Sequence, residues 1–361
     1  MRHSLYTIIL FTTLTAAVFV ACTKDGDIIY VLDPTDAPST SPLVTVVYDP
    51  DALGDHSYND LIYQGVEHAA SKFHLRTMQL SPITREEGLA YLENIFQQMS
   101  TQRDTIRRLF IVTSPAYDSW LRQNNRRLEN NPYADLLYLE TTTPLEGKGS
   151  TLYLPYYGAM YEAGAITTLY SDEVLLVGAN RENESVAEAM QGFQDGFATD
   201  YISPKFEKRL FVDYIGQHQD EGFSISDSLA VQMMTKPAWN RDYTIPMIVP
   251  VCGGAGMSFQ RMSEVLIQYL FMGVDVEKIS GNCQHSVVKH IDEAIMECVH
   301  KWLSPNGMPK HQSLGLASGY TEVLQYSIPS IFTQMFQDDI SEELHQTIHE
   351  EAIRREEDYG K

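Results

Sequence analysis

From Leu43 onward, short β-branched runs alternate with stretches of helical apolar period, and that alternation commits the chain to βα units feeding a parallel sheet. Leu43 to Tyr48 reads as the first strand. A helix follows from about 59 to 73, with Ile62, Val66, Ala69, Ala70 and Phe73 on one face. Further strands are predicted at Leu75 to Leu80, Leu109 to Thr113, Leu136 to Glu140, Ser150 to Leu154, Val174 to Val177, Leu210 to Tyr214 and Pro246 to Val251. From Ser286, the positions Val287, Val288, Ile291, Ala294, Ile295, Cys298, Val299 and Trp302 form one apolar stripe and read as a single docked helix.

About 320 residues run from Leu43 to the end, more than one hydrophobic core usually organises, so two domains are expected. No Gly/Ser or Pro linker cuts this stretch. Several direct crossings, as in a hinged clamp, therefore suit the chain better than domains strung in line.

The residues before Leu43 carry a different signal. Arg2 and His3 precede an uncharged apolar run from Leu5 to Ala21, followed by Cys22, which is the layout of a cleaved export signal. A run of 17 residues is marginal for spanning the ~30 Å hydrocarbon layer. Phe19-Val20-Ala21-Cys22 resembles a lipoprotein signal-peptidase site, with Phe19 where Leu is usual. The resemblance implies an acylated Cys22 and an exported protein, lipid-anchored to the cell membrane or the outer membrane. The alternative is an uncleaved membrane helix or an ordinary secretory signal, and no cationic stop-transfer cluster follows to support the former. Residues 22–42 hold four aspartates and a Pro-, Ser- and Thr-rich end, and read as a tether.

Composition limits the partners. The formal net charge is −22, so the chain as a whole repels a phosphate backbone or an anionic lipid surface, and nucleic acid is excluded as a partner. Beyond Cys22, the thiols Cys252, Cys283 and Cys298 are an odd set in which one disulfide could form, no pair being distinguished. Gly253-Gly254-Ala255-Gly256 lacks the third glycine of a dinucleotide turn, and no nucleophile elbow or phosphate loop occurs, so no cofactor and no catalytic centre are expected. The pairs Cys283/His285 and Cys298/His300 invite a metal reading, but Cys298 belongs to the apolar stripe and no metal site is expected. His345 and His349, one helical turn apart, read as a solvated face.

The run Val46-Val47-Tyr48-Asp49, followed by Gly54-Asp55-His56-Ser57-Tyr58-Asn59, resembles the basic-membrane-lipoprotein family of purine nucleoside receptors, where a strand ends in Asp and a turn carries Asp-x-Ser-Phe-Asn into the first helix. Tyr161 to Ile166, Gly192-Phe193-Gln194-Asp195-Gly196-Phe197, Gly253 to Gly256, Gly273-Val274-Asp275 and Ser286 to Lys289 are similar to later landmarks of that family, in order. The resemblance implies an α/β chain with the type I periplasmic-binding-protein fold: two Rossmann-like lobes with parallel sheets, joined by a multi-crossing hinge. Residues 43–154 plus about 277–312 would form one lobe, and 155–276 plus about 313–361 the other.

The same resemblance implies a ligand between the lobes, with Asp49, Ser57, Tyr58, Asn59, Gly254, Asp275 and Lys289 as its contacts. Open parallel sheets bind ligands beyond their carboxyl strand ends, so elementary topology points to that place too. Asp and Asn can accept from ribose hydroxyls or a purine N–H, a Tyr ring offers a stacking face, and Lys can donate to a purine. The expected function is non-catalytic capture of a small molecule, a purine nucleoside, for an ABC importer's permease or for a sensor. A nucleoside- or sugar-processing enzyme, or a surface interaction module, is the alternative on one scaffold. Departures bear on specificity: Pro50 to Gly54 replaces paired glycines, Tyr58 stands for Phe, and Ala255 for Thr. Ser57 equally suits a helix N-cap, Asp275 a turn after a strand, and Lys289 a solvated helix start.

Overall fold

The computed structural model describes residues 38–101, 105–204, 206–239, 245–266, 268–278, 282–325 and 341–359. The signal segment, Cys22 and the tether up to residue 37 lie outside the described residues.

Lobe one opens with β1 (Leu43–Val47), α1 (Tyr58–Phe73), β2 (Arg76–Leu80), α2 (Arg85–Thr101), β3 (Arg108–Val112), α3 (Asp118–Asn124), β4 (Ala134–Leu139) and β5 (Ser150–Tyr153). The chain then enters lobe two as α4 (Tyr157–Thr167), β6 (Glu173–Gly178), α5 (Glu184–Phe197), β7 (Arg209–Tyr214), α6 (Asp227–Thr235), β8 (Met247–Val251), α7 (Gly256–Leu266), β9 (Leu270–Asp275) and β10 (Cys283–Lys289). It returns to lobe one for α8 (Ile291–Leu303) and β11 (His311–Ser313), then ends in lobe two with β12 (Thr321–Gln325) and α9 (Glu342–Asp358). Each lobe holds a six-stranded sheet, ordered β11-β5-β4-β3-β1-β2 and β12-β10-β9-β8-β6-β7. All pairings are parallel except that of β12 with β10.

The eight strands read from the sequence form; those inside the sheets are apolar runs buried on both faces, whereas the edge strands β2 and β7 are only partly buried. The stripe from Ser286 resolves differently. Val287 and Val288 belong to β10, a wholly buried strand paired with β9, and the helix begins only at Ile291. Ile291 to Trp302 then pack on Ile62, Val66, Ala69 and Ala70 of α1. The chain therefore changes lobe between Lys289 and Ile291, and residues 283–289 lie in the second sheet, not with the first lobe as the boundary near 277 implied.

The Gly-Phe run is explained by helix approach. A Cβ on Gly196 would lie 1.9 Å from the Tyr161 carbonyl oxygen, one on Gly192 2.4 Å from that of Tyr157, and one on Gly164 2.3 Å from that of Phe193. Only glycine admits the backbones of α4 and α5 at this spacing. Cys252, Cys283 and Cys298 are free and buried. His345 and His349 are not a solvated face: they reach back to Glu162 of α4, which is 2% exposed, at 3.2 and 2.8 Å. An isolated helix pattern could not reveal this partner 183 positions away.

Candidate ligand-binding cleft

The carboxyl ends of the central strands of both sheets face one cavity of about 930 Å³ between the lobes. Asp49, Tyr58, Asn59, Gly254, Asp275 and Lys289 all line it; Ser57 does not.

The first loop is built by Asp55. Its carboxylate accepts from the backbone N–H groups of Ser57 (2.8 Å), Asn59 (3.1 Å) and Asp60 (3.2 Å), so it satisfies the free donors at the start of α1. Ser57, the cap expected from sequence, makes no capping bond with its side chain. Its hydroxyl is left to donate across the lobes to Asp275 Oδ2 at 3.0 Å. The other Asp275 oxygen accepts from the Tyr156 hydroxyl at 2.9 Å, which in turn accepts from the Asp275 N–H at 2.8 Å. Asp275 sits at φ +70°, where these three bonds hold a strained backbone. Asp275 and Ser57 thus form a latch between the lobes, reinforced by Lys278 Nζ donating to the His56 carbonyl at 3.1 Å. Gly254 meets Asp55 at the same seam, where a Cβ would lie 3.1 Å from the Asp55 Cβ.

Lys289, buried at the end of β10, donates to Glu140 Oε1 at 3.2 Å and Ser185 Oγ at 3.1 Å, and its ammonium lies 4.3 Å from the Tyr156 ring centroid and 5.7 Å from that of Tyr58. It is no solvated helix start. Glu140 was missed by motif matching, although a carboxylate just past a strand's carboxyl end is a legible signal. Burial raises its pKa and Lys289 opposes that rise. Burial likewise pushes the Asp49 carboxyl up to about 6, against a hydrogen bond from Ser114. Tyr58 and Tyr156 are held well above the usual phenol value by burial, with Glu140 and Asp275 respectively adding to it.

Four buried polar atoms lining the cleft lack a hydrogen-bond partner: Asn59 Oδ1, Glu140 Oε2 and the hydroxyls of Tyr58 and Thr113. Nine carboxylates and three cations, Arg85, Arg122 and Lys289, line the cavity. Arg122 is paired with Asp118 at 2.8 Å and Lys289 with Glu140, so the cleft disfavours a phosphorylated or carboxylated solute. Among the described residues no group of three His, Cys, Asp or Glu side chains is placed to hold a metal ion.

No family model and no curated protein matches this chain. Its fold is similar to that of an ABC transporter solute-binding protein from Aeropyrum pernix K1, with TM-score 0.65 and 15% identity over 88% of this chain and 86% of that one. It is also similar to an ABC transporter solute-binding protein from Conexibacter woesei DSM 14684, with TM-score 0.57 and 10% identity over 89% and 98%. A LacI family transcriptional regulator from Enterococcus faecium with bound ribose follows, with TM-score 0.53 and 15% identity over 79% and 97%. The chain therefore has the type I periplasmic-binding-protein fold, two mostly parallel α/β lobes around an interlobe cleft. At these identities the likeness is one of fold.

Proposed function

We propose that this chain captures a small, donor-rich, uncharged solute in its interlobe cleft without chemical change, that the solute is a purine nucleoside, and that the protein serves an ABC importer or a sensor while held to the membrane through Cys22. One observation carries the reading: Asn59 Oδ1 and Glu140 Oε2 are buried acceptors without partners, beside the Tyr58 ring, in a cavity large enough for a nucleoside. A base stacked on Tyr58 would offer its N–H groups to these atoms, and ribose hydroxyls would reach Asp49. Asp275 and Ser57 would serve by holding the lobes in register.

Thermal unfolding of the mature chain tests this, since a ligand at a hundredfold excess over Kd stabilises by about 2.7 kcal/mol. Guanosine, inosine or adenosine should raise the midpoint. If every nucleoside leaves it unmoved while a sugar raises it, the solute class is wrong and capture survives. Turnover of the nucleoside would overturn the non-catalytic reading.

A further inference from the structure

The two ends of lobe one's sheet carry opposite charge. Because its six strands run parallel, their carboxyl ends share the acidic cleft and their first residues share the opposite pole. Within two residues of the six strand starts stand five cations, Arg76, Arg107, Arg108, Lys148 and Lys310, and one carboxylate, Asp135. Asp135 is engaged already, accepting from Trp302 Nε1 at 2.9 Å with Lys148 Nζ at 3.8 Å. Arg107 and Lys310 hydrogen-bond to neutral carbonyls: Arg107 to Trp302 and Leu303, Lys310 to Gly147 and Gly149. Both line a second cavity of about 300 Å³ at this pole. Partial burial lowers the pKa of the exposed Lys310, with the charge of Glu129 opposing, and an anion there would favour its charged form.

The tether joins the domain at this same pole. The Leu43 N–H donates to the Arg107 carbonyl at 2.9 Å, and Arg76 Nε donates to the Ser41 carbonyl at 3.2 Å. A chain held at Cys22 hangs from its basic end.

We propose that, while not engaged with an importer or sensor, the protein rests with the N-terminal pole of lobe one as a membrane-facing surface that seats Arg107 and Lys310 against the phosphate headgroups of an anionic bilayer, turning the acidic cleft away from it. It rests on the tether reading for its geometry and not on the identity of the solute. The net charge of −22 does not forbid it. A five-residue strand separates pole from cleft by roughly 17 Å, about two Debye lengths at physiological salt, so the bilayer meets the pole's charge and little of the cleft's.

The test uses the chain from Cys22, coupled through that thiol to a maleimide lipid, since Cys252, Cys283 and Cys298 are buried. It is displayed on vesicles of phosphatidylcholine alone or mixed with phosphatidylglycerol, and the acetylation rates of Lys310 and of Lys236 in lobe two are read by mass spectrometry. Lys310 should react several-fold more slowly on the anionic vesicles, lose that protection at high salt and in Arg107→Gln, and leave Lys236 unchanged. Equal Lys310 rates on both vesicles would overturn the proposal. So would equal protection without vesicles, which would mean that the chain's own acidic tether fills the pocket. The anchor is chemical and no solute is present, so neither result depends on acylation of Cys22 or on nucleoside binding.

Discussion

Two carboxylates, the buried Glu188 and the half-buried Glu356, grip the start of α4, where the chain crosses from lobe one to lobe two, and they differ in a way that single substitutions can read. Glu188 Oε1 accepts from both the Tyr156 N–H (3.0 Å) and the Tyr157 N–H (3.1 Å). Glu356 divides its oxygens, Oε2 accepting from Gly158 N–H and Oε1 from Leu316 N–H, each at 2.9 Å. Burial raises each from 4.5 to about 7. The folded state therefore binds the proton more tightly than the unfolded chain, and stability falls as pH rises from about 4.5 to about 7. Above pH 7 the ionised Glu188 costs about 3 kcal/mol, since its carboxyl holds its proton from 4.5 up to about 7. Glu188→Gln keeps one carbonyl oxygen for both amides and removes the charge. At pH 8 it should stabilise by up to about 3 kcal/mol, a midpoint rise of up to roughly 5 °C, and at pH 4.5 it should be neutral. Glu356→Gln loses the same charge but turns an NH2 toward one backbone N–H, leaving a buried donor unpaired at about 1–3 kcal/mol. Its gain at pH 8 should be smaller by that amount. Calorimetric unfolding without solute, at both pH values, measures all four quantities. A destabilised Glu188→Gln at pH 8, or an equal increment at both pH values, refutes the reasoning.

The remaining predictions concern the cleft and the C-terminal helix. Asn59→Ala should weaken solute binding roughly five- to hundredfold, from about 1–3 kcal/mol of lost pairing, with the unfolding midpoint intact; Asp275→Ala should lower the midpoint even without solute, because it strands the Ser57 and Tyr156 hydroxyls. Titration calorimetry beside thermal unfolding separates the two, and an unaltered midpoint in Asp275→Ala would remove the latch. Hydrogen bonding to the Glu162 carboxylate raises His345 and His349, and although burial works to raise Glu162, the two imidazoles hold it below its usual range. That contribution is full between the ordinary carboxylate value of 4.5 and the ordinary imidazole value of 6.5, and is lost as pH rises through the raised histidine values. The stability difference between the parent and Glu162→Gln should therefore be largest near pH 6 and shrink by pH 8; a difference that is flat with pH would show that the three groups are not coupled.

The α/β class and the inner strands were legible because runs buried on both faces keep their apolar character whatever their neighbours are, and the edge strands β2 and β7 because β-rich segments recur between helical periods. The first loop was legible too, since Asp49, Tyr58 and Asn59 follow one strand and open one helix. β10 was not, because Val287 and Val288 abut the stripe of α8 at a spacing that suits a helix, and its other residues, Gln284, His285 and Ser286, are polar yet buried. Pairing with β9 and β12 overrides that local pattern. The roles of Ser57 and Asp275 depend on a bond across 218 positions, which no local spacing contains. Net charge shows the sharpest division between the two kinds of information. Composition determines that the chain carries −22, but only parallel strands, which gather all six starts at one pole and the carboxyl ends at the other, decide that a basic end and an acidic cleft coexist in one lobe.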